Sequence, residues 1–131
     1  MAGALFLELD MPEILIIDDE KEICTIFKMT LERAGYSVRA AQDGDEGIRL
    51  LKEKPVDLLI VDIIMPDKDG IETIVETRKN SPHVKIMAVS GGGRISSNEY
   101  LRMAKTLGAN VTLEKPVTRD VLLSTVKELL G

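Results

Sequence analysis

The sequence predicts an α/β domain: one doubly wound parallel sheet of five strands with five helices on its two faces. Three observations carry this. Short apolar runs alternate five times with longer segments of helical period. Ile14-Leu15-Ile16-Ile17 and Leu58-Leu59-Ile60-Val61 are continuously apolar, as expected of parallel strands covered on both faces. Polar residues capable of chemistry then gather just past the ends of these runs.

Each element has its own signal. After the first strand, a helix over about residues 20–34 carries Ile23, Ile26, Phe27, Leu31 and Ala34 on one face, with Gly35 as its stop. The second strand, Tyr36 to Ala40, alternates, with Ser37 and Arg39 facing one way, and reads as an edge. Asp43 and Glu46 stand at capping-box spacing ahead of a helix over about 44–53. Leu58 to Val61 is the third strand. Asp69 and Glu72 repeat the capping spacing before a helix with Ile71, Ile74 and Val75. The fourth strand, Val84 to Val89, is interrupted only by Lys85. Ser96 and Glu99 open a helix whose apolar face is Leu101, Ala104 and Leu107, stopped by Gly108. Val111-Thr112-Leu113 is a short fifth strand and a second edge. Thr118 caps the last helix, whose core face is Leu122, Val126 and Leu129. Right-handed crossovers between parallel strands place helices on both faces. With strands 2 and 5 at the edges, the expected order is 2-1-3-4-5. That order is borrowed from flavodoxin-like doubly wound sheets rather than derived from these residues.

At 131 residues the chain is long enough for one domain with a proper core. Hydrophobic residues at 44% and charged residues at 30% describe a soluble globular chain rather than a disordered one. A net charge of −5 without a basic stripe argues against direct nucleic-acid binding. No apolar run approaches the ~20 residues of a membrane span. No basic n-region marks a secretory signal. Cys24, the single cysteine, cannot form an internal disulfide and reads as a buried, inert thiol, which fits a reducing cytosol. Residues 1–11 read as a flexible N-terminal extension and 12–131 as the domain.

The polar residues at the strand ends converge on one edge. Asp18 and Asp19 follow the first strand, Asp62 the third, Ser90 the fourth and Lys115-Pro116 the fifth. In open parallel α/β sheets ligands bind at that edge. Strands 1 and 3 are neighbours in the expected order, so three carboxylates crowd together. Two like charges ~4 Å apart repel by about 4 kcal/mol at an effective dielectric of 20. A bound cation relieves this better than protonation does. A few oxygen ligands suit Mg²⁺. One acid alone would be an ordinary helix cap; three at strand ends call for more. Asp62 is the candidate nucleophile, since a carboxylate can accept a phosphoryl group. Such a transfer needs mainly positioning and charge neutralisation, which Mg²⁺ and Lys115 supply. Ser90 can hydrogen-bond a phosphoryl oxygen. A lysine is more often a solvated surface residue, but Pro116 bends the chain where Lys115 can turn back to the site.

Three further segments carry less. Met65-Pro66-Asp67-Lys68-Asp69-Gly70 reads as a tight strand-to-helix connection. Gly91-Gly92-Gly93 lacks a following Gly-Lys-Ser/Thr, so it is a mobile loop rather than a phosphate loop. His83, the only histidine, follows Pro82 in a loop and reads as solvent-exposed rather than as a base.

Together these pieces resemble the receiver domain of two-component response regulators over about residues 12–130. The matching segments are Ile14 to Glu20, Asp57 to Pro66, Asp69-Gly70, Ser90 and Leu113-Glu114-Lys115-Pro116. The resemblance implies that Asp62 takes a phosphoryl group from a phosphohistidine on a sensor histidine kinase or histidine phosphotransfer protein. It implies that Asp19, Asp62 and the Ile64 backbone carbonyl ligate Mg²⁺ directly, with Asp18 acting through water. It assigns Ser90 and Lys115 to the phosphoryl oxygens. Phosphorylation would shift a pre-existing equilibrium of the surface made by the fourth helix, fifth strand and fifth helix. That surface would control a homodimer, a downstream protein or an attached output domain. The chain would then be a cytoplasmic signalling phosphoacceptor rather than an enzyme. One position departs from the family. Three residues before the lysine, where Tyr or Phe is usual, stands Thr112. Ser90 and Thr112 remain the switch positions, but coupling through a ring is lost, and activation is expected to rest on the loop from Ser90 to Ser97.

Other readings fit less well. A haloacid-dehalogenase-type phosphatase needs a second Asp two residues after the nucleophile, where this chain has Ile64. A flavin carrier binds phosphate after strand 1, where Asp18-Asp19-Glu20 would repel it. The remaining alternative is a receiver-like interaction module that is not phosphorylated. Gly131 lies one residue past the last helix, so the chain is expected to be either a single-domain regulator or the receiver of a larger protein.

Overall fold

The computed structural model describes residues 11–65, 70–91 and 97–131, with only the backbone at 97 and 98. The expected extension, apart from Met11, and the caps assigned to Asp69 and Ser96 lie outside the described residues. So do Gly92, Gly93 and most of the Ser90–Ser97 loop.

The chain alternates strand and helix throughout: β1 (Glu13–Ile17), α1 (Lys21–Arg33), β2 (Ser37–Ala41), α2 (Gly44–Glu53), β3 (Leu58–Asp62), α3 (Gly70–Asn80), β4 (Lys85–Gly91), α4 (Ser97–Leu107), β5 (Val111–Lys115) and α5 (Arg119–Leu130). The sheet is parallel with order β2-β1-β3-β4-β5, as the sequence predicts. The two strands that read as edges are the edges.

Period-two alternation splits the core into two layers. Leu15, Ile17, Leu59, Val61, Ile86 and Ala88 pack with Ile74, Leu101 and Ala104 on the α2–α4 side. Ile14, Ile16, Leu58, Ile60, Met87 and Val89 pack with Phe27, Leu31, Leu122 and Val126 on the α1 and α5 side. Because β1 and β3 feed both layers, almost every residue in them is buried, which is why they read as unbroken apolar runs. Close packing of α2 on β1 requires Gly47, where a Cβ would run into the Ile17 side chain. Asp43 and Thr118 cap α2 and α5 by accepting from the Glu46 and Val121 amides. Gly35 and Gly108, both at positive φ, end α1 and α4.

Two details differ from the sequence reading. Strands β4 and β5 run two residues beyond their apolar stretches, because the pairing continues to Gly91 opposite Lys115. Backbone pairing does not end where side chains turn polar, so Asp62, Ser90 and Lys115 lie within the last strand residues rather than past them. On the helices, Ile26, Val75 and Leu107 are exposed rather than buried. The stripe actually covered on α1 is Cys24, Phe27 and Leu31, and Ile26 lies beside it.

Candidate functional site

The same alternation that builds the core aims the site. Just past β1, Asp18 continues the row Ile14-Ile16; on β3, Asp62 continues Leu58-Ile60; on β5, Lys115 continues Val111-Leu113. All three therefore extend the α1–α5 face at the C-terminal edge of the sheet. Lys115 Nζ lies 2.8 Å from Asp18 Oδ2, 3.2 Å from Asp62 Oδ2 and 3.0 Å from Glu20 Oε1. The peptide joining Lys115 to Pro116 is cis. Asp18 and Asp62 are buried, as is Ser90.

Local backbone fixes both acids. Asp62 Oδ1 accepts from the Ile64 amide at 3.0 Å, and Asp18 Oδ1 accepts from the Glu20 amide at 2.8 Å. Each carboxylate is thus held by a turn of its own chain while its second oxygen meets the lysine. Gly70 is required just behind Asp62: a Cβ there would collide with the Asp62 carbonyl oxygen and the Ile63 Cα. This accounts physically for the glycine that begins α3.

Electrostatics at this edge are unbalanced. Burial drives the Asp62 carboxyl up to about 6, with the nearby Asp18 charge adding to the rise and the Ile64 amide and Lys115 opposing it. Asp18 is raised as well, chiefly by burial, against the pull of Lys115. Lys115 feels burial that would lower its pKa, but the bond it donates to Asp18 and the charges of Asp62 and Asp18 outweigh it, so the proton is held more firmly. Three carboxylates share one ammonium, which leaves two negative charges over. Oxygens of Asp18, Glu20 and Asp62 lie within 4.8 Å of one another, a donor set suited to a hard divalent cation. Ser90 Oγ is buried and has no hydrogen-bond partner among the described residues. Such a hydroxyl is costly unless something else satisfies it.

The structure brings together Asp18, Asp62 and Lys115 from the residues expected of the sequence. Asp19 is exposed and lies outside the close carboxylate cluster. Ile64 presents its amide to Asp62. Ser90 continues Ile86-Ala88 on the opposite face, and Thr112 is half-buried on that face opposite Ala88, diagonal to Ser90. The sequence marks Glu20 only as the end of the acidic run Asp18-Asp19-Glu20. Its reach to Lys115, 95 residues away, has no local signal. Cys24 is buried as expected, and burial and the Asp18 charge push its thiol up to about 11, which favours the protonated form. His83 is exposed. Among the described residues no helix is long and apolar enough to cross a membrane.

Comparison with known proteins agrees with this geometry. The family model for the response regulator receiver domain matches residues 14–127. The transcriptional regulatory protein CpxR of Klebsiella pneumoniae subsp. pneumoniae (strain HS11286) is 33% identical over 120 residues, which is 92% of this chain and 50% of that protein. The CAI-1 autoinducer sensor kinase/phosphatase CqsS of Vibrio cholerae serotype O1 is 34% identical over 113 residues, 86% of this chain and 16% of that protein. The chain thus spans half or less of the length of these curated relatives. The crystal structure of a CheY-like response regulator receiver domain protein from Methanospirillum hungatei JF-1 superposes with a TM-score of 0.86 at 31% identity, covering 92% of this chain and 94% of that one. With its sheet order, its acidic strand ends and the family match over residues 14–127, this chain belongs to the response regulator receiver domain family of two-component signalling.

Proposed function

We propose that Asp62 is the phosphoacceptor of this receiver domain. The observation that carries the reading is the Lys115 ammonium bridging Asp62 and Asp18 at the strand ends. The orphaned Ser90 hydroxyl at the same edge supports it. In the step, an Asp62 carboxylate oxygen attacks phosphorus and forms a P–O bond. The P–N bond to a donor imidazole breaks, and its electron pair stays on nitrogen. The product is a mixed anhydride on Asp62. Lys115 then moves its pairing from the carboxylates to a phosphoryl oxygen, and Ser90 donates to another. Asp18, Asp19, Asp62 and the Ile64 carbonyl would hold Mg²⁺, which supplies positive charge against the phosphoryl oxygens.

The domain catalyses only its own phosphorylation and dephosphorylation, so it signals rather than turning over a substrate. Its donors are a sensor histidine kinase or a histidine phosphotransfer protein in the cytoplasm. Its output surface comprises α4, β5 and α5 and acts on a second copy, a downstream protein or an attached domain. Ser90 and Thr112 share the sheet face covered by α4, which supports their role as switch positions. The test is incubation with acetyl phosphate and Mg²⁺, in which acetate leaves as the P–O bond to the acyl group breaks. Intact mass should rise by one phosphoryl group. No gain, under conditions where the folded protein binds Mg²⁺, would favour the unphosphorylated interaction module.

A further inference from the structure

Glu20 has a side chain committed to the site without a part in the chemistry above. It stands at the N-cap of α1, where Asp, Asn, Ser or Thr stabilise a helix by accepting a first-turn N–H. Its side chain makes no such bond. It reaches instead across to Lys115 Nζ, at 3.0 Å. Its side chain is 61% exposed, against 4% for Asp18 and 5% for Asp62. It is therefore the solvent-facing carboxylate on the lysine. A phosphoryl donor is an anion arriving from solvent, and Glu20 meets it with negative charge while sharing the cation it needs.

We propose that Glu20 is a positioning residue that restrains Lys115 in the unphosphorylated protein and weakens its hold on the incoming phosphoryl group; this rests on the reading of Asp62 as phosphoacceptor. The same carboxylate enriches the negative charge around the cation site, where its oxygen lies within 4.8 Å of those of Asp18 and Asp62. One charge thus has two effects of opposite sign: it favours cation binding and slows phosphoryl transfer. A residue that served only the start of α1 would produce neither.

Two variants separate these roles. Glu20→Gln keeps the size and removes the charge. Glu20→Asp keeps the charge, shortens the reach to Lys115 and is a better N-cap, so it guards against loss of folding. The readouts are Mg²⁺ affinity by calorimetry and the rate of mass gain with acetyl phosphate at saturating Mg²⁺. Glu20→Gln should bind Mg²⁺ about threefold more weakly yet gain phosphate about threefold faster, the size an exposed ion pair supplies. Glu20→Asp should fall between it and wild type. Raising the salt should shrink both differences. Unchanged values, or a rate that falls together with affinity, would overturn the proposal. A wild type that binds Mg²⁺ but gains no phosphate would instead overturn the phosphoacceptor reading, and this inference with it.

Discussion

The two ends of the sheet use half-buried cations in opposite ways. At the N-terminal end, Arg78 donates to the carbonyls of Pro82, Val84 and Gly108 and to Asn110 Oδ1, at 2.6 to 3.3 Å. Asn110 Oδ1 in turn accepts from the Ile86 amide. The guanidinium thereby ties the end of α3 to the entries of β4 and β5. Burial pulls the pKa of Arg78 down. At the C-terminal end, Lys115 is pulled the other way, because carboxylates rather than carbonyls surround it. Neutral acceptors satisfy the guanidinium N–H groups without adding negative charge. Three acids around one lysine leave a surplus that a ligand can answer. Polar contacts at one end tie elements of the fold together; at the other they leave negative charge that a cation can answer.

The largest test of that contrast is at Asp62. Asp62→Asn should abolish the phosphoryl gain, because an amide is a far poorer nucleophile. Intact mass after acetyl phosphate treatment reads this directly, and phosphorylation at the wild-type rate would remove Asp62 from its role.

The next is pH. Asp62 titrates near 6 in the folded chain, above its ordinary 3.8. Below about pH 4 it is neutral whether folded or not, and it costs nothing. Between about pH 4 and 6 the unfolded chain ionises this carboxyl while the folded chain still holds its proton, and above 6 the folded state carries the buried charge. Metal-free stability should therefore fall over that window by up to about 3 kcal/mol from this group. Urea unfolding of wild type and Asp62→Asn should show the difference between them growing from pH 4 to 7. Mg²⁺ should narrow it.

At the opposite end, Arg78→Met should destabilise by about 2 kcal/mol, since several acceptors lose a charged donor. It should leave Mg²⁺ affinity unchanged, because the defect lies across the sheet from the acids. A weakened metal site in that variant would show that the two ends are not independent.

Smaller again is the division between neighbouring acids. Asp19→Ala should weaken Mg²⁺ about tenfold and Asp18→Ala less, if direct ligation belongs to Asp19. The reverse order in calorimetry would assign the cation to the close cluster of Asp18, Glu20 and Asp62. Smallest, Thr118→Ala should cost about 1 kcal/mol through the lost bond to the Val121 amide. Metal binding and phosphorylation should not move.

Much of the fold was legible because its signals are local. The run Leu58 to Val61 is apolar on both sides, and only a strand between two layers needs that. Asp43 and Thr118 announce helix starts by chemistry that spans three residues. Where reading fell short, the cause lay in packing. Ile26, Val75 and Leu107 are as apolar as their buried neighbours, and only the position of the sheet decides which side of a helix is covered. Gly70 looked like turn chemistry, whereas its role is to let α3 approach the Asp62 backbone.

The sequence by itself therefore determined the alternation of elements, the edge strands and the convergence of Asp18, Asp62, Ser90 and Lys115 on one end of the sheet. Each follows from short-range periodicity plus the rule that parallel strands share a direction. Tertiary structure alone decided which carboxylates meet the lysine. Lys115 lies 53 residues from Asp62 and 95 from Glu20, distances over which no pattern in the chain specifies contact. Parallel pairing closed them by setting β5 beside β4 and β4 beside β3. The period-two alternation then turned Asp18, Asp62 and Lys115 to one face while Ser90 turned to the other.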